Sequence, residues 1–340
     1  MDKPPTIADV ARLAGVHKAT ASRALNPRTS DQVNAATARR VVSAAKRLRY
    51  QPNTLARSLS TRRSATIGVL IPDLTNPLFP LVVRGIEDAL SEQGYTALLA
   101  NTDNDPEREQ TQFEALLSRK VDGFILATAR RDHPLLRQAH QQGTAVVLLN
   151  RSTDEPLFPV VAGDDAAGVH AAVDHLVALG HRRIAHLSGP TAMSTGFTRG
   201  RAFRSAVAAH SLAPAETPVV ECGSYTEDSG AAATRRLLAE HPEITAIFAG
   251  NDMIALGALQ ELREHRLDCP GDVSLVGFND MRFVDKLVPP LTTVHVPHHQ
   301  LGAEAAQLLL DQLDSPDRPA KTVSLPLDLV IRQSTAPPRS

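Results

Sequence analysis

Residues 6–26, with the sequence TIADVARLAGVHKATASRALN, contain two short helical patterns separated by a turn. Thr6 and Asp9 have the spacing of a capping box, in which a hydroxyl and a carboxylate satisfy free backbone groups at a helix start. Apolar residues then recur at helical spacing from Ile7 to Ala14, and Gly15 is typical of the turn that ends a helix. A first helix is therefore predicted to begin at Thr6 and to end near Ala14.

Two further helices are predicted in the next 30 residues or so. The second runs from Lys18 to Leu25, ends at Asn26-Pro27, and turns Lys18, Ala19, Ser22 and Arg23 outward. The third runs from about Ala35 to Leu48, with Asn34 as its N-cap. We expect its apolar face to consist of Val41, Val42, Ala45 and Leu48. Two short helices supported by a third form a helix-turn-helix.

The charge of the chain is unevenly distributed. Residues 1–63 contain 13 basic and 3 acidic residues, a net charge of +10, whereas the rest contains 23 basic and 34 acidic residues, a net charge of -11. A small basic module attached to a larger acidic body is typical of nucleic-acid binding, because polyphosphate attracts only the first. A solvated basic surface with no such role is the alternative.

The segment 6–26, together with Tyr50-Gln-Pro-Asn-Thr-Leu-Ala-Arg-Ser-Leu59, closely resembles the head of lactose-repressor (LacI/GalR) family regulators. The resemblance implies that Lys18 and Ala19 set operator preference and that Arg23 contacts a base. It also implies a hinge helix over residues 53–60, with Leu59 as a wedge in the minor groove. His17 stands where the family usually has a serine cap. The full set of expected DNA contacts is Thr6, His17, Lys18, Ala19, Thr20, Ser22, Arg23, Asn26, Asn53, Ala56, Arg57 and Leu59.

The chemistry of Arg23 supports the same role, because arginine can donate two hydrogen bonds to guanine in the major groove. A contact to phosphate is the alternative, since most protein–DNA hydrogen bonds go to the backbone. For Leu59, packing in a small core is the alternative to a wedge.

From Ser64 onward, apolar strand candidates alternate with helical segments, which predicts parallel sheets wrapped by helices. The first run has strands at 66–71, 96–101, 121–127 and 145–150, with helices near 78–93, 106–119 and 134–142. The second has strands at 183–188, 218–222, 245–250 and 272–278, with helices near 165–179, 199–210, 226–241 and 252–265. Two such runs predict an α/β body of two similar lobes.

The body also resembles the periplasmic-binding-protein-like (type I) core of the same family, in segments such as Asp73-Leu-Thr-Asn-Pro-Leu-Phe79 and His175-Leu-Val-Ala-Leu-Gly-His181. In that fold the chain crosses between lobes three times, which places a helix near 298–313 in the first lobe and a strand near 323–331 in the second. The expected domains are 1–52 (helix-turn-helix), 53–63 (hinge helix and linker) and 64–340 (core). Within the core, the first lobe is about 64–162 and 294–320, and the second about 163–293 and 321–340.

Open α/β sheets bind ligands at the carboxyl ends of their strands, so a two-lobed core is expected to bind between the lobes. The effector-binding candidates at strand ends are Asp73, Phe79, Asn101, Thr128, Thr195, Arg199, Tyr225, Asn251, Asp252 and Asn279. By resemblance, Arg199, Asn251 and Asn279 hold the effector's polar groups, while Phe79 and Tyr225 pack against it. Arg199 is the expected anchor, because its fork can hold two hydroxyls or a phosphate. For any one Asn or Asp, a turn or helix cap is the alternative.

We expect a transcriptional repressor that binds a pseudo-palindromic operator in double-stranded DNA as a homodimer and is controlled by a small-molecule effector, a sugar or derivative. Met193 stands where purine-binding relatives have arginine, which favours a sugar over a purine. The tail after Ile331 has no apolar heptads, so no tetramerisation segment is expected. Cys222 and Cys269 are expected to be packing residues.

No dinucleotide loop, phosphate loop or nucleophile motif is present, so we expect neither an enzyme nor a cofactor or metal site. An α/β enzyme is the second interpretation, but it leaves the basic head unexplained. A solute-binding protein is the third. The chain has no apolar run long enough to cross a bilayer, and its first residues, Met1-Asp2-Lys3-Pro4-Pro5, lack a secretory signal, so the expected location is the cytoplasm, at the nucleoid when operator is bound, with no membrane partner.

Overall fold

The computed structural model describes residues 5–25, 29–50, 63–315 and 320–339. Contacts divide the chain into two units, Met1–Thr66 and Ile67–Ser340, which we call the head and the core. The expected hinge helix and five of the expected DNA contacts (Asn26, Asn53, Ala56, Arg57 and Leu59) lie outside the described residues. The boundaries 1–52, 53–63 and 64–340 stay predictions.

The head contains three helices, α1 (Ile7–Ala14), α2 (Lys18–Ala24) and α3 (Ala35–Arg47). A one-turn 3-10 helix at Ser30–Gln32, which the sequence analysis missed, lies between α2 and α3. Gly15 ends α1 with a φ of +64°, a left-handed conformation that glycine adopts without strain. Asn34 caps α3 as predicted, because its Oδ1 accepts a hydrogen bond from the Ala36 amide at 2.9 Å.

The hydrophobic interior of the head consists mainly of alanine and valine. Its buried members are Val10, Ala11, Ala14, Ala21, Ala24, Val41, Ala44 and Ala45. The prediction that Val42 belongs to the apolar face of α3 was wrong, since its side chain is 39% exposed. Ala44 takes that place, because it lies three residues after Val41 and one before Ala45, on the same side of the helix.

The core unit follows the predicted alternation closely. Its strands are β1 (Thr66–Ile71), β2 (Thr96–Asn101), β3 (Gly123–Leu126), β4 (Val146–Leu149), β5 (Val160–Gly163), β6 (Ile184–Ser188), β7 (Val219–Glu221), β8 (Ala246–Ala249), β9 (Ser274–Asn279), β10 (Thr292–His295), β11 (Thr322–Leu325) and β12 (Asp328–Val330). Its α-helices are α4 (Leu78–Glu92), α5 (Pro106–Ser118), α6 (Pro134–Gln141), α7 (Asp165–Ala178), α8 (Ser194–Ala209), α9 (Glu227–Glu240), α10 (Asp252–Glu264) and α11 (His298–Asp314).

Within the described residues, the strands form two six-stranded sheets, one in each lobe. The first has the order β11-β5-β4-β3-β1-β2, and the second has the order β12-β10-β9-β8-β6-β7. The central pairings are parallel, as between β1 and β3 or β8 and β9, while β12 runs antiparallel to β10 at the edge. Central strands such as β3, β4 and β8 are buried along their whole length, as expected for parallel sheets covered by helices on both faces.

The chain crosses between the two sheets three times, between β5 and β6, between β10 and α11, and between β11 and β12. The prediction of a single strand near 323–331 in the second lobe was wrong. This segment forms β11, which pairs with β5 in the first sheet, and then β12, which pairs with β10 in the second. Pro326 lies between them, and because proline lacks an N–H it cannot continue a ladder of hydrogen bonds. The first lobe therefore extends through β11.

Helix α11 returns to the first lobe, as predicted, and packs against α4. A Cβ atom at Gly85 in α4 would lie 1.9 Å from the carbonyl oxygen of His299 in α11, so the two helix backbones approach closely at this glycine. In the second lobe, Cys222 and Cys269 are free and buried, and burial raises the pKa of each thiol to about 12. Their expected role as packing residues is confirmed.

Among the described residues, no helix combines the length and the apolar character that a bilayer-spanning segment requires.

Candidate functional site

Helix α2 presents a polar and basic face to solvent. Lys18, Ala19, Ser22 and Arg23 are exposed, as predicted, whereas Ala21 and Ala24 are buried against the other head helices. Small buried residues allow α2 to sit close to α1 and α3 without burying a large side chain, so its outer face is left free. A helix held in this way has the shape and charge to enter a major groove.

Two of the expected DNA contacts, Thr6 and His17, are exposed and also cap the starts of α1 and α2. Nδ1 of His17 accepts a hydrogen bond from the Ala19 amide at 3.3 Å, so histidine replaces the usual serine at the start of α2. The backbone N–H and the hydroxyl of Thr6 both donate to Oδ2 of Asp9, at 2.9 and 2.7 Å, and these hydrogen bonds lower the pKa of the Asp9 carboxyl. Thr20, also on α2, is half-buried.

A cleft lies between the two lobes of the core, at the carboxyl ends of their strands. The first lobe contributes Asn76, Leu78, Phe79, Asn150 and Arg151, and the second lobe contributes Thr195, Arg199, Tyr225, Asn251 and Asn279. Amides and hydroxyls predominate among the polar groups, so the cleft offers both donors and acceptors.

Six of the ten predicted effector residues line this cleft, and four do not. Asp73 and Asn101 hold the loop after β1, since Asp73 accepts from the Thr75 amide at 2.8 Å and Asn101 accepts from the Leu74 amide at 2.9 Å. Thr128 is buried and donates to the Glu109 carboxylate. The strand-end rule selected these residues correctly by position, but local hydrogen bonds direct their side chains elsewhere.

Asp252 is the fourth predicted residue outside the cleft lining. It is fully buried at the start of α10, where it accepts hydrogen bonds from the Met281 amide at 2.8 Å and the Thr293 hydroxyl at 2.6 Å. Burial raises the pKa of its carboxyl to about 7. Asp252 thus joins α10 to the segments that follow β9 and begin β10.

Arg199 lines the cleft, but most of the hydrogen-bond donors of its guanidinium are already engaged. Nε and Nη2 donate to the two carboxylate oxygens of Asp165 at 2.9 and 3.1 Å, and Nη1 donates to the Gly250 carbonyl at 2.7 Å. The guanidinium also lies over the Phe278 ring, 3.6 Å from its centre. Because three of its five N–H donors are used, Arg199 can give at most two hydrogen bonds to a ligand. Its role as the anchor of the effector stays a prediction, with Asp165 occupying the Nε–Nη2 edge of the guanidinium.

The remaining second-lobe residues are held by their own contacts. Oδ1 of Asn251 caps α10 by accepting from the Ile254 amide at 2.9 Å, which leaves its amide nitrogen for a ligand. The Tyr225 hydroxyl is 2.8 Å from Oγ1 of Thr195. A Cβ atom at Gly189 would lie 2.2 Å from Cζ of Tyr225, so the ring fits here only because residue 189 is glycine. Asn279 is buried at the end of β9, with a φ of +117°.

Four further residues line the cleft that were not predicted from the sequence, Asn76, Leu78, Asn150 and Arg151. Asn150 and Arg151 directly follow β4, so the strand-end rule points to them as it does to the residues after the other strands. Arg151 is 6% exposed, and burial lowers its pKa to about 10. A buried guanidinium in a cleft wall is an unusual feature that hydropathy alone does not reveal.

One edge of the cleft is bridged by contacts between the lobes. The backbone N–H of Arg131 donates to the Ala192 carbonyl at 3.0 Å, and its guanidinium lies 3.7 Å from the centre of the Phe197 ring. Within the first lobe, Arg131 is held by an ion pair with Asp154 at 2.8 Å. The Ser152 amide donates to Oγ of Ser194 at 2.8 Å. These contacts hold the first turn of α8, which carries Thr195 and Arg199, against loops of the first lobe.

Comparison with known families assigns both units. Residues 6–53 match the model for bacterial regulatory proteins of the lacI family, and residues 64–332 match the model for periplasmic binding proteins and the sugar binding domain of the LacI family. Among curated proteins, the chain is similar to the ribose operon repressor of Halalkalibacterium halodurans, with 37% identity over 330 residues that cover 97% of each sequence.

Two solved structures are similar over nearly the whole chain. A complex of the transcriptional regulator CelR with cellobiose aligns with a TM-score of 0.74 and 33% identity, over 97% of this chain and 99% of that one. The lac repressor dimer bound to operator and the anti-inducer ONPF aligns with a TM-score of 0.83 and 29% identity, over 98% of this chain and 100% of that one. The matched proteins are transcriptional regulators, and the family models account for both the helix-turn-helix head and the two-lobed core. The chain belongs to the LacI family of bacterial transcriptional regulators.

Proposed function

We propose that this chain represses transcription by binding a pseudo-palindromic operator as a homodimer, and that a sugar or sugar derivative in the cleft between the lobes controls that binding. The observation that carries the proposal is the presence, in one chain, of an exposed basic α2 face and a polar cleft between two lobes. Relatives that are described with ribose, cellobiose or operator DNA support the same assignment. The chain would act in the cytoplasm without catalysing a reaction.

A dimer follows from the size of the DNA-reading element. One α2 helix reaches only a few base pairs, and a two-fold symmetric pair doubles the contact on a symmetric site. Effector binding would alter the arrangement of the two lobes and thereby the operator affinity of the dimer. We expect induction, in which the effector favours the arrangement that binds DNA less well.

Retention on duplex DNA tests the first part of the proposal. The full chain should be retained and should select one symmetric sequence from a random library, whereas the same chain without residues 1–63 should flow through. Sedimentation should give a dimer at micromolar concentration. A stable tetramer, a monomer, or equal retention of both proteins would contradict the proposal.

Replacing Arg23 by alanine should weaken operator binding by about 1–3 kcal/mol and relax the preference at one base pair in each half-site, because a bidentate contact to guanine is lost. The matched control is Arg12→Ala on α1, which removes the same charge from an exposed arginine that pairs with Asp9. Affinities should be measured on the operator and on single-base variants of it. If Arg23→Ala weakens binding to all sequences equally, Arg23 contacts phosphate.

A further inference from the structure

The walls of the effector cleft carry an unbalanced positive charge. The lining contains two arginines and no aspartate or glutamate among the described residues. The charge of Arg199 is balanced by Asp165, which lies behind it at 2.9 Å. The charge of Arg151 has no such partner, since no carboxylate of the described residues lies within 4.0 Å of its guanidinium.

The contacts of Arg151 leave most of its donors unused. Its Nη1 is 3.4 Å from Oδ1 of Asn104, which is a long hydrogen bond, and its Nε is buried with no partner. The Tyr225 ring lies 5.9 Å from the guanidinium carbon, near the limit for a cation–π contact. Burial raises the pKa of Tyr225, so its hydroxyl stays neutral and supplies no negative charge.

Burial lowers the pKa of Arg151 and the Glu109 carboxylate opposes that effect, but Glu109 is engaged by other residues. Glu109 accepts from Thr128, lies 3.4 Å from Nε2 of His133 and lies 4.0 Å from Nη2 of Arg130. A buried cation without a matching anion is costly, and proteins retain such groups mainly where a ligand or substrate completes them. Arg151 is such a buried cation, and it lines the cleft, where a ligand could supply the anion.

We propose that the effector is an acidic sugar, whose carboxylate or phosphate pairs with Arg151. This inference rests on the proposed function and specifies the chemical class of its effector. The side-chain amides of Asn150 and Asn279 bind the hydroxyls as donors or acceptors, and Asn251, whose Oδ1 caps α10, donates to them from its amide nitrogen. Phe79 and Tyr225 cover the apolar face of the ring.

Calorimetry on the full-length protein with matched neutral and acidic compounds tests this class. The pairs are ribose with ribose 5-phosphate, and glucose with gluconate, glucuronate and glucose 6-phosphate, which separate a phosphate from a carboxylate. In at least one pair the acid should bind about 10- to 100-fold more tightly, as hydrogen bonds to charged groups do. In Arg151→Gln that preference should vanish while any neutral binding is kept. Neutral sugars that bind as tightly as their acids would overturn the inference and leave the proposed function standing.

Asn150→Asp is the complementary variant. It adds a carboxylate beside Arg151 with almost no change in size, and residue 150 has a φ of +63°, which aspartate tolerates as asparagine does. This variant should lose the preference for acids. An unchanged preference would show that Arg151 does not select the ligand's charge.

Thermal unfolding without sugar supplies a readout that does not depend on the choice of compound. Arg151→Met should raise the Tm by about 2–4 °C, because it removes an uncompensated buried charge. Sodium sulfate should stabilise the native protein more than it stabilises Arg151→Met, since a bound anion completes only the arginine. A lower Tm in Arg151→Met, together with equal sulfate effects, would assign Arg151 a structural role. If no compound of either class binds or alters operator affinity, the proposed function itself fails.

Discussion

Arg199→Ala is expected to lower the free energy of unfolding of the core by roughly 3 kcal/mol, because it leaves the Asp165 carboxylate without its partner. The guanidinium is 3% exposed and donates to both oxygens of Asp165 and to the Gly250 carbonyl. Breaking a buried ion pair from one side costs about 3–5 kcal/mol. The lower end applies, because Asp165 keeps 12% of its side chain exposed and can recruit water.

The pH dependence of this variant identifies the cause. Burial raises the pKa of Asp165, and Arg199 opposes that effect, so the pKa should rise further once Arg199 is removed. Protonation then relieves the unpaired charge, and the deficit relative to the native chain should be smaller at pH 5 than at pH 8. Urea unfolding at both pH values measures it. The control is Arg201→Ala, an exposed arginine on the same helix, which should change the stability little. A deficit equal at both pH values would exclude Asp165 as its source.

Relative to the native chain, the free energy of unfolding of Asp252→Asn is expected to increase as the pH rises, by on the order of 3 kcal/mol between about pH 4.5 and pH 7.5. Burial raises the folded-state pKa of Asp252 from 3.8 to about 7. A carboxyl with a raised folded pKa contributes stability that is fully present below the unfolded pKa and is lost as the pH rises through the folded pKa. Asparagine carries no such dependence: its Oδ1 can accept from the Met281 amide, and its Nδ2 can donate to the Thr293 hydroxyl, which reverses the direction of that bond.

The measurement must be the difference in unfolding free energy between Asp252→Asn and the native chain, because other buried groups titrate in the same pH range. Burial lowers the pKa of His186 and of His298 to about 4, which makes the folded state more stable as the pH rises through their unfolded pKa. These contributions are common to both chains and cancel in the difference. If the difference in unfolding free energy stays constant from pH 4.5 to 7.5, Asp252 is ionised in the folded protein throughout.

The regular elements of the core could be predicted where burial is carried by apolar residues. Strand β1 was predicted with its observed bounds, 66–71, because its buried positions are aliphatic apart from Gly68. Helix α8 begins at Ser194, five residues before its predicted start. Its first turns bury Thr195 and Arg199 toward the cleft, so polar residues occupy positions at which periodicity requires apolar ones.

Strands β5 and β10 were missed for related reasons. Strand β10 buries Thr292 and Thr293, whose hydroxyls are satisfied by Thr335, Arg332 and Asp252. Hydropathy cannot identify a strand whose buried residues are polar and hydrogen-bonded to distant parts of the chain. Strand β5 is only four residues long and partly exposed, which gives too short a pattern to separate from a loop.

The position of the cleft was predictable, but the role of each side chain was not. Strand-end geometry selected Asn251 and Asn279, which line the cleft, as well as Asp73, which does not. An asparagine or aspartate that caps a turn looks the same in sequence as one that faces a ligand. The balance of charge behind Arg199 and its absence behind Arg151 depends on contacts between residues far apart in the chain, so only the structure distinguishes the two arginines.

Operator affinity measured with and without a bound effector tests the central claim most directly. The effector is the tightest binder among ribose, glucose and their acidic counterparts, and operator Kd should be determined at saturation and at constant salt. The account predicts a change of about 5- to 150-fold in operator Kd, and operator should change the effector's Kd by the same factor, because coupling is reciprocal. An operator Kd that stays the same at saturating effector would contradict the claim that the cleft controls DNA binding.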